Sequence, residues 1–452
     1  MKKKILIALG VIAAIILIFI GIEYIQFLKA TSRMTELSAD LEKRIVEWEK
    51  KEYKRPPLFG PAIPGNAAEY YQQAESQMTE LTELDEEVWI QWVGYVGSFK
   101  PLSPTALSCY EKAKPIIELV RKGNNAEVYK SLLNIRDGFK CKMPNLLSAR
   151  NIANAMVIQG RELENNNQCP DALQLYCDVI RFEDGYLCNG CWISAITDIT
   201  LSEEYEGIIV ISEIGYEEIR RVILTNKLSE DELNKLISYL GIIFNPEPVY
   251  ENVWDTEGLL TEAELIKYAK TVGFFPQRSV FTVGLPENFI DAIKLRWINK
   301  TGYVNAAEDT NAIYQETKRI HNLSYRQAKD EAKGFKARIK TLSPLSQYLI
   351  PSGILSAKIS YLMHQAQRRG LYILCALEIY KARHQKYPEK LADLAPEIIQ
   401  DVPLDPFSDQ SFIYKVNPDG TIMLYSVGDN LKDDGGAEKR YNDIVIAPLK
   451  KQ

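Results

Sequence analysis

The sequence predicts a mainly α-helical protein: a single N-terminal transmembrane helix, an irregular all-α body of helical hairpins, and a small C-terminal α+β domain with one long helix and an antiparallel sheet. The first observation behind this prediction is a long apolar run at the N-terminus. The second is a spacing of three or four between apolar residues over most of the chain, and the third is strand-like alternation near its end. We expect a membrane anchor at 1–30, a stalk and linker at 31–65, a helical body at 66–350 and the C-terminal domain at 351–452.

The composition is typical of a folded globular protein and argues against nucleic acid as a partner. Of 452 residues, 46% are apolar and 25% are charged, and the net charge is −6. Beyond the membrane flank the chain has neither a basic stripe nor a long block of Lys and Arg. Proteins that bind nucleic acid carry such basic surfaces because they must neutralise phosphates.

The N-terminal segment predicts a location. Residues 5–28 are almost entirely apolar and would form a helix about 36 Å long, which is enough to cross a bilayer core. The segment lacks the short apolar core and small-residue cleavage site of a removable signal peptide, so we predict an uncleaved signal anchor. Lys2, Lys3 and Lys4 favour a cytoplasmic N-terminus. We therefore expect a single-pass protein of the cytoplasmic membrane with the bulk of the chain on the periplasmic side.

The membrane helix is predicted to continue outward as an amphipathic stalk. Its apolar edge is formed by Met34, Leu37, Leu41, Ile45 and Trp48. The proline-rich stretch 55–65 that follows predicts an extended connector, and Asn66 is the expected N-cap of the next helix.

Apolar spacing predicts helices through most of the body. They are expected at 67–81, 104–121, 125–137, 145–164, 171–182, 191–225, 229–241, 261–270, 286–298 and 305–340, with loops at 243–260 and 271–285. The pair 145–164 and 171–182 predicts a helical hairpin, because a polar turn joins the two and Pro170 stands at the start of the second. No repeat of fixed length recurs along the chain, so an irregular helical body is favoured over a solenoid.

The chain has seven cysteines, and four of them, Cys169, Cys177, Cys188 and Cys191, lie close together near the predicted hairpin. A structural disulfide among Cys177, Cys188 and Cys191 is the favoured interpretation in an oxidising compartment. Buried thiols remain an alternative, and so does redox or metal chemistry at the Cys-x-x-Cys pair.

The sequence contains no catalytic motif that we recognise. The three histidines are isolated from one another, and no metalloprotease, nucleophile-elbow or phosphate-binding pattern is present. The acidic pairs Glu203-Glu204 and Glu217-Glu218 are interpreted as solvated helix faces, since neighbouring residues do not face each other on a helix. We therefore predict a protein without enzymatic activity. The alternative is an envelope hydrolase or a thiol-redox protein with its site in the helical body.

The C-terminal domain has the clearest local signals. A helix of about thirty residues is expected to start near residue 355 and to end before Tyr387-Pro388. Strands are expected at 412–416, 422–426 and 444–446, and Asn417-Pro418-Asp419-Gly420 predicts a hairpin turn between the first two. The pattern predicts one long helix packed against a small antiparallel sheet.

These segments also resemble a known family. The helix Leu371–Tyr380, Tyr387-Pro388, Asp405-Pro406-Phe407 and the strand Leu424–Gly428 occur in the order and spacing of the soluble domain of the major pseudopilin of type II secretion. The resemblance covers roughly the last ninety residues of the chain. It implies the same helix-and-sheet fold, and it suggests envelope or secretion-system proteins as partners.

The resemblance further implies a calcium site. In the family, the loop after the Tyr-Ser strand binds calcium through oxygen ligands, and here the matching loop offers Asp429, Asn430, Asp433, Asp434 and Asp443. The family commonly places Asp and Gly where this chain has Asn430 and Leu431. A turn stabilised by side-chain hydrogen bonds to its own backbone is the alternative interpretation.

The whole chain is predicted to be a membrane-anchored extracytoplasmic binding or assembly protein. A pseudopilin's long helix runs directly from the membrane into its sheet domain, whereas here the helical body separates the two. Subunits of a fibre packed through such helices could not accommodate that body, so we expect the pseudopilin-like domain to serve another purpose.

Overall fold

The computed structural model describes residues 2–82, 86–98, 101–188, 211–225, 228–243, 249–275, 277–278, 297–349, 354–436 and 443–448. Over these ranges the chain is mainly helical, as predicted, but the body that was expected to be all-α also contains small sheets. The helices are α1 (Lys2–Glu49), α2 (Ala67–Thr82), α3 (Glu86–Ser98), α4 (Pro104–Asn124), α5 (Leu146–Asn165), α6 (Cys169–Cys188), α7 (Ile211–Thr225), α8 (Glu230–Ile243), α9 (Val249–Thr271), α10 (Lys300–His321), α11 (Tyr325–Ile339), α12 (Pro344–Leu349) and α13 (Ile354–His384). The strands are β1 (Tyr53–Lys54), β2 (Ile63–Asn66), β3 (Ala126–Tyr129), β4 (Gln277–Arg278), β5 (Trp297–Ile298), β6 (Ile413–Val416), β7 (Ile422–Ser426) and β8 (Ile444–Ala447), and Ile135–Lys140 and Leu391–Leu394 form 3₁₀ turns.

Helix α1 has two halves with different surroundings. From Leu9 to Leu28 its apolar side chains are exposed apart from half-buried Phe27, and the helix is long and apolar enough to cross a membrane. Its C-terminal half packs against α9 and α10 and buries Leu41, Ile45 and Trp48. The predicted stalk is therefore confirmed as a helix, but its apolar edge is docked on the body.

Polar contacts reinforce this docking. The Trp48 indole donates a hydrogen bond of 2.9 Å to the Thr256 hydroxyl. The Arg44 guanidinium makes two hydrogen bonds, of 2.7 and 2.8 Å, to the carboxylate of Glu262, whose side chain is buried. Burial raises the pKa of Glu262, and the bonds from Arg44 oppose that rise. Both bonds come from Nη2 of Arg44, while its Nε donates a hydrogen bond of 2.8 Å to Asp40 on α1, so the guanidinium ties α1 to α9.

The proline-rich connector belongs to the body. Strands β1 and β2 flank it, and both pair with β3 in a small sheet of order β1-β3-β2. The predicted N-cap is confirmed, because the Asn66 side-chain oxygen accepts a hydrogen bond of 3.1 Å from the Ala68 backbone amide. The helix predicted at 125–137 is wrong: this segment forms β3 and the start of a 3₁₀ turn. Pairing with strands far earlier in the chain outweighs the local pattern.

The helical hairpin is confirmed as α5 and α6. The two helices approach closely at Gly160, where an added Cβ would lie 2.3 Å from a ring carbon of Tyr176. Asn167 adopts a φ of 61° in the polar turn, a left-handed conformation that asparagine tolerates well. Helix α6 runs on to Cys188, beyond its predicted end at residue 182.

Two further predictions of helix boundaries are wrong. The loop expected at 243–260 is helical from Val249 onward as part of α9. The single helix expected at 305–340 is divided into α10 and α11, because Ser324 and Gln327 form a reciprocal capping box that starts a new helix. Of the helix predicted at 191–225, α7 covers the last part, and residues 191–210 lie outside the described ranges, as does most of 286–298.

The C-terminal elements are confirmed. Helix α13 spans 31 residues, and the three strands form an antiparallel sheet of order β6-β7-β8. The predicted hairpin turn joins β6 to β7, with Gly420 at a φ of 81°. The core of this sheet is continuous with the core of the helical body, and one cluster of buried apolar residues extends from Leu58 to Ala447.

Helix α13 lies in the middle of that shared core. One side contacts β7 and β8, and the other contacts α7 and α8. The five consecutive residues from Ile373 to Leu377 are all fully buried. A helix that is apolar all round must be covered on every side, which is the arrangement seen here.

Candidate functional site

The candidate metal loop follows β7 and returns to β8. Its central carboxylate, Asp433, accepts a hydrogen bond of 2.7 Å from the Tyr425 hydroxyl and one of 2.9 Å from the Gly435 amide. The Lys415 ammonium lies 3.9 Å from the same side chain. The Tyr425 hydrogen bond is the main cause that lowers the pKa of Asp433. Asp433 is therefore held as a carboxylate beside the sheet.

Asp443 brings a second carboxylate to the loop from the start of β8. Its side chain accepts a hydrogen bond of 2.7 Å from the Gly436 amide through Oδ2. Its other oxygen, Oδ1, is buried and has no hydrogen-bond partner among the described residues, and the whole residue is only 6% exposed. Burial is the main cause that raises the pKa of Asp443. Backbone hydrogen bonds from Gly436 and Asp434 oppose that rise, and the nearby carboxylates of Asp434 and Asp433 add to it.

The remaining predicted ligands are engaged in different ways. Asn430 donates a hydrogen bond of 2.6 Å to Asp434, while its own side-chain oxygen accepts one of 2.8 Å from the Lys432 amide. The Asp429 carbonyl accepts hydrogen bonds of 2.9 Å from the Tyr325 hydroxyl and 3.1 Å from the Lys329 ammonium, both on α11. The loop is thus tied to the helical body as well as to the sheet.

The donor chemistry suits calcium, but the described residues do not converge on a metal position. No group of three or more His, Cys, Asp or Glu side chains that could hold an ion is found in the part of the chain that the structure describes, which omits 437–442 of this loop. Oδ1 of Asp443, buried and without a partner among the described residues, is the feature that fits a cation, since calcium prefers carboxylate and carbonyl oxygens. Calcium binding stays a prediction.

Asp405 anchors the base of the loop, a role that sequence reasoning did not assign. Its fully buried carboxylate accepts hydrogen bonds from the Phe407 amide at 3.0 Å, the Ser426 hydroxyl at 2.8 Å, the Ser408 hydroxyl at 3.1 Å and the Val427 amide at 3.1 Å. These bonds join the Asp-Pro-Phe turn to the end of β7, directly before the candidate metal loop. The sequence signal that could have revealed this role is the Asp-Pro-Phe tripeptide together with the serine that ends β7.

The structure places the three candidate disulfide residues only in part. Cys177 is buried in α6, and burial raises the pKa of its thiol well above the usual value. Cys188 ends the same helix, about 16 Å further along its axis, which is too far for a direct bridge to Cys177. Cys191 lies outside the described residues, so a bridge that involves it stays a prediction.

The interpretation of Glu217-Glu218 as a solvated face is wrong for Glu218. This residue is only 4% exposed and forms ion pairs with Arg161 and Arg221. Arg161 also donates hydrogen bonds to the backbone carbonyls of Tyr95 and Val96, at 2.6 and 2.8 Å. The cluster joins α3, α5 and α7. Arg221 is three residues from Glu218 on the same helix, but Arg161 comes from a distant segment that no local pattern could reveal.

A pocket in the helical body has a volume of about 270 Å³ and lies between α2 and the segment that leads into α5. Glu75 is buried in its wall and accepts a hydrogen bond of 2.8 Å from the Asn145 amide, and the Thr79 and Ser148 hydroxyls are 2.6 Å apart. None of the three histidines lines this cavity. The described wall therefore lacks the nucleophile and imidazole pair that a typical serine hydrolase needs.

Comparisons of the whole chain with known protein families, with curated proteins and with solved structures found no match. The fold and the site define a mainly helical protein with one exposed apolar N-terminal helix and a C-terminal helix-and-sheet module.

Proposed function

We propose that this chain is a membrane-anchored extracytoplasmic binding or assembly protein without catalytic activity. The observation that carries the proposal is helix α1, whose apolar half is exposed while its other half is docked on the body. Exposure of a long apolar helix to water is costly, and a bilayer removes that cost. The lysines at the N-terminus orient the anchor so that the body lies on the periplasmic side of the cytoplasmic membrane.

Two measurements test this anchoring. The full chain should stay with the membrane fraction after alkaline carbonate extraction, and a C-terminal reporter that is active only outside the cytoplasm should be active. Release by carbonate would reject the anchor. Retention with an inactive reporter would reject the orientation alone.

We further propose that the C-terminal module is pseudopilin-like and is stabilised by calcium. The order of α13, β6, β7 and β8 supports the first statement, and the donor set Asp429, Asn430, Asp433, Asp434 and Asp443 supports the second. These residues would supply the oxygens, and the ion would offset the repulsion around Asp443. The role of such a module in a chain of this architecture is to present a rigid binding surface to envelope or secretion-system proteins.

Thermal unfolding of the full chain in detergent, with calcium or with chelator, tests the calcium proposal. A ligand that binds only the folded state stabilises it by about 2.7 kcal/mol at a hundred times its Kd. We expect calcium to raise the melting temperature of the natural chain and of Asp401→Asn, an exposed control, but not of Asp443→Asn. Superimposable melting curves in millimolar calcium and in chelator would leave the loop as a turn without a metal.

Co-purification from detergent-solubilised membranes tests the proposed partners. Recovery of secretion-system subunits would support the assembly role, and their absence would favour an envelope scaffold that acts outside that system.

A further inference from the structure

A cluster of aromatic side chains surrounds α1 where its apolar half ends. The Tyr24 and Phe27 rings are 6.2 Å apart on α1, and the Phe274 ring lies 5.7 Å from each of them. Phe274 belongs to the loop after α9, so this part of the body reaches the level of α1 at which the apolar residues stop. Phe275 follows with its ring 5.1 Å from Phe274, and it is 77% exposed.

Among the described residues, the cover that the body gives to α1 ends at this same level. Ala30 is fully buried in a cluster with Val272 and Ile298, whereas the apolar residues from Val11 to Leu28 are exposed apart from Phe27, which is half-buried. The Phe274-Phe275 tip therefore extends past the edge of the covered region, toward the membrane-crossing half of the helix. An exposed phenylalanine elsewhere on a surface would need no explanation, but this one stands beside the helix that is expected to enter the bilayer.

Basic side chains frame the cluster. The Lys300 ammonium lies 5.6 Å from the centre of the Phe27 ring, and Lys29 is exposed directly after the apolar stretch. Aromatic rings together with lysines are the residues that occupy the boundary between lipid acyl chains and headgroups, because each has an apolar part and a part that tolerates the polar interface.

We propose that Phe275 inserts into the outer interface of the same membrane that α1 crosses, with Phe274 as its support. The membrane then contacts the body at a second point beside the helix, and these two contacts restrict rotation and tilt of the body above the bilayer. This inference rests on the proposed membrane anchor, and it adds a lipid-contacting surface to it.

Quenching of tryptophan fluorescence by brominated lipids tests this contact. Phe275→Trp is introduced into the full chain, which is reconstituted into phosphatidylcholine and phosphatidylglycerol vesicles with acyl chains brominated near the headgroup. The matched control is Phe139→Trp, because Phe139 is also exposed, at 52%, but lies far from the predicted membrane. Its 3₁₀ turn contains Arg136, which pairs with Glu42 of α1. That level of α1 is about 22 Å beyond Phe27 along the helix axis.

The six natural tryptophans contribute equally to both variants, so each signal is read as the difference from the natural chain. We expect the added emission at position 275 to be lost in brominated vesicles and the added emission at position 139 to persist. Persistence of both, in protein that stays with the vesicles after carbonate treatment, would overturn the lipid contact while the anchor stands, and would assign the tip to water or to a protein partner. Release of the protein from the vesicles would overturn both proposals.

Discussion

At the scale of single residues, the buried charges of the body are its most specific feature. Glu218 is held between Arg161 and Arg221, and it stands next to Glu217, which is largely exposed and pairs with Arg220 in the next turn. Two adjacent glutamates in one helix therefore have very different surroundings. Removal of one partner from a buried ion pair is costly because the other charge remains buried, whereas an exposed pair contributes little.

We expect Glu218→Gln to lower the free energy of unfolding by about 3 kcal/mol, because Arg161 loses its buried counter-charge. The control variant Asp231→Asn, which removes one partner of an exposed ion pair with Lys235, should have a much smaller effect. Denaturant unfolding of the full chain in detergent, followed by circular dichroism, measures both. Equal effects from the two variants would mean that Glu218 is not buried in the folded protein.

The histidines predict how stability depends on pH. Burial is the main cause that lowers the pKa of His321 and of His364 to about 3, and nearby Lys358 and Arg368 add to it. In the unfolded chain a histidine has a pKa near 6.5. Because the folded pKa lies below the unfolded one, the stabilisation is present above pH 6.5 and is lost as the pH falls, when the unfolded chain takes up protons first.

For each buried histidine, the free energy of unfolding should therefore fall by about 2 kcal/mol as the pH falls from 6.5 to 5, at 1.36 kcal/mol per pH unit. We expect His364→Gln to flatten the acid side of the stability profile relative to the natural chain. His384→Gln is the control, because His384 is exposed beside Glu397 at the surface. A profile that keeps its slope in His364→Gln would show that this imidazole is protonated in the folded state.

At the scale of elements, the contact between α13 and β8 depends on a glycine. An added Cβ at Gly370 would lie 2.4 Å from a side-chain carbon of Ile446, so the helix and the strand can approach only without a side chain at this position. At Gly334, in the middle of α11, an added Cβ would have no atom within 4 Å apart from its own stretch of the helix. The two glycines thus have the same helical backbone but different packing.

We expect Gly370→Ala to destabilise the protein by about 2 kcal/mol through overpacking. Gly334→Ala should stabilise it by about 0.5 to 1 kcal/mol, because alanine loses less backbone entropy on entering a helix. Both values come from denaturant unfolding. A neutral Gly370→Ala would indicate that β8 moves away from the helix without difficulty.

The elements also show which features local sequence can predict. The α5–α6 hairpin, α13 and the strands β6, β7 and β8 were predicted because each carries its own signals of apolar period, turn residues or proline. The strand β3 was missed because its partners lie far away in sequence. The break before α11 had a local signal, the Ser324 capping box, which the long apolar pattern obscured.

The candidate site, too, has features that local sequence could predict and features that it could not. Its acidic residues were predictable because the loop is short and rich in Asp and Gly. The bonds from Tyr325 and Lys329 to the Asp429 carbonyl were not, because α11 is brought to the loop by the tertiary fold. Leu431 adopts a φ of 60°, a left-handed backbone conformation that leucine enters at a cost of about 1 to 2 kcal/mol.

At the scale of the whole molecule, the C-terminal module is joined to the body by far more than a linker. Arg368 on α13 pairs with Asp184 on α6 and donates a hydrogen bond of 2.6 Å to the Tyr216 hydroxyl on α7. In the opposite direction, Arg220 on α7 donates one of 2.7 Å to the Val445 carbonyl on β8. These bonds lie around the shared apolar core. Much of the buried surface of the module is therefore in contact with the body.

We therefore expect the module and the body to unfold together. A fragment of residues 354–452 should fail to give a cooperative melt, because Ile373–Leu377 would be exposed on the side that α8 covers in the full chain. Calorimetry of the full chain should show one transition that includes the sheet, and Gly370→Ala should lower its midpoint as a whole. If the fragment instead melts cooperatively with dispersed methyl resonances, the module is a separable domain, and its helix face toward α8 becomes available for assembly with other proteins, as a fibre subunit would require.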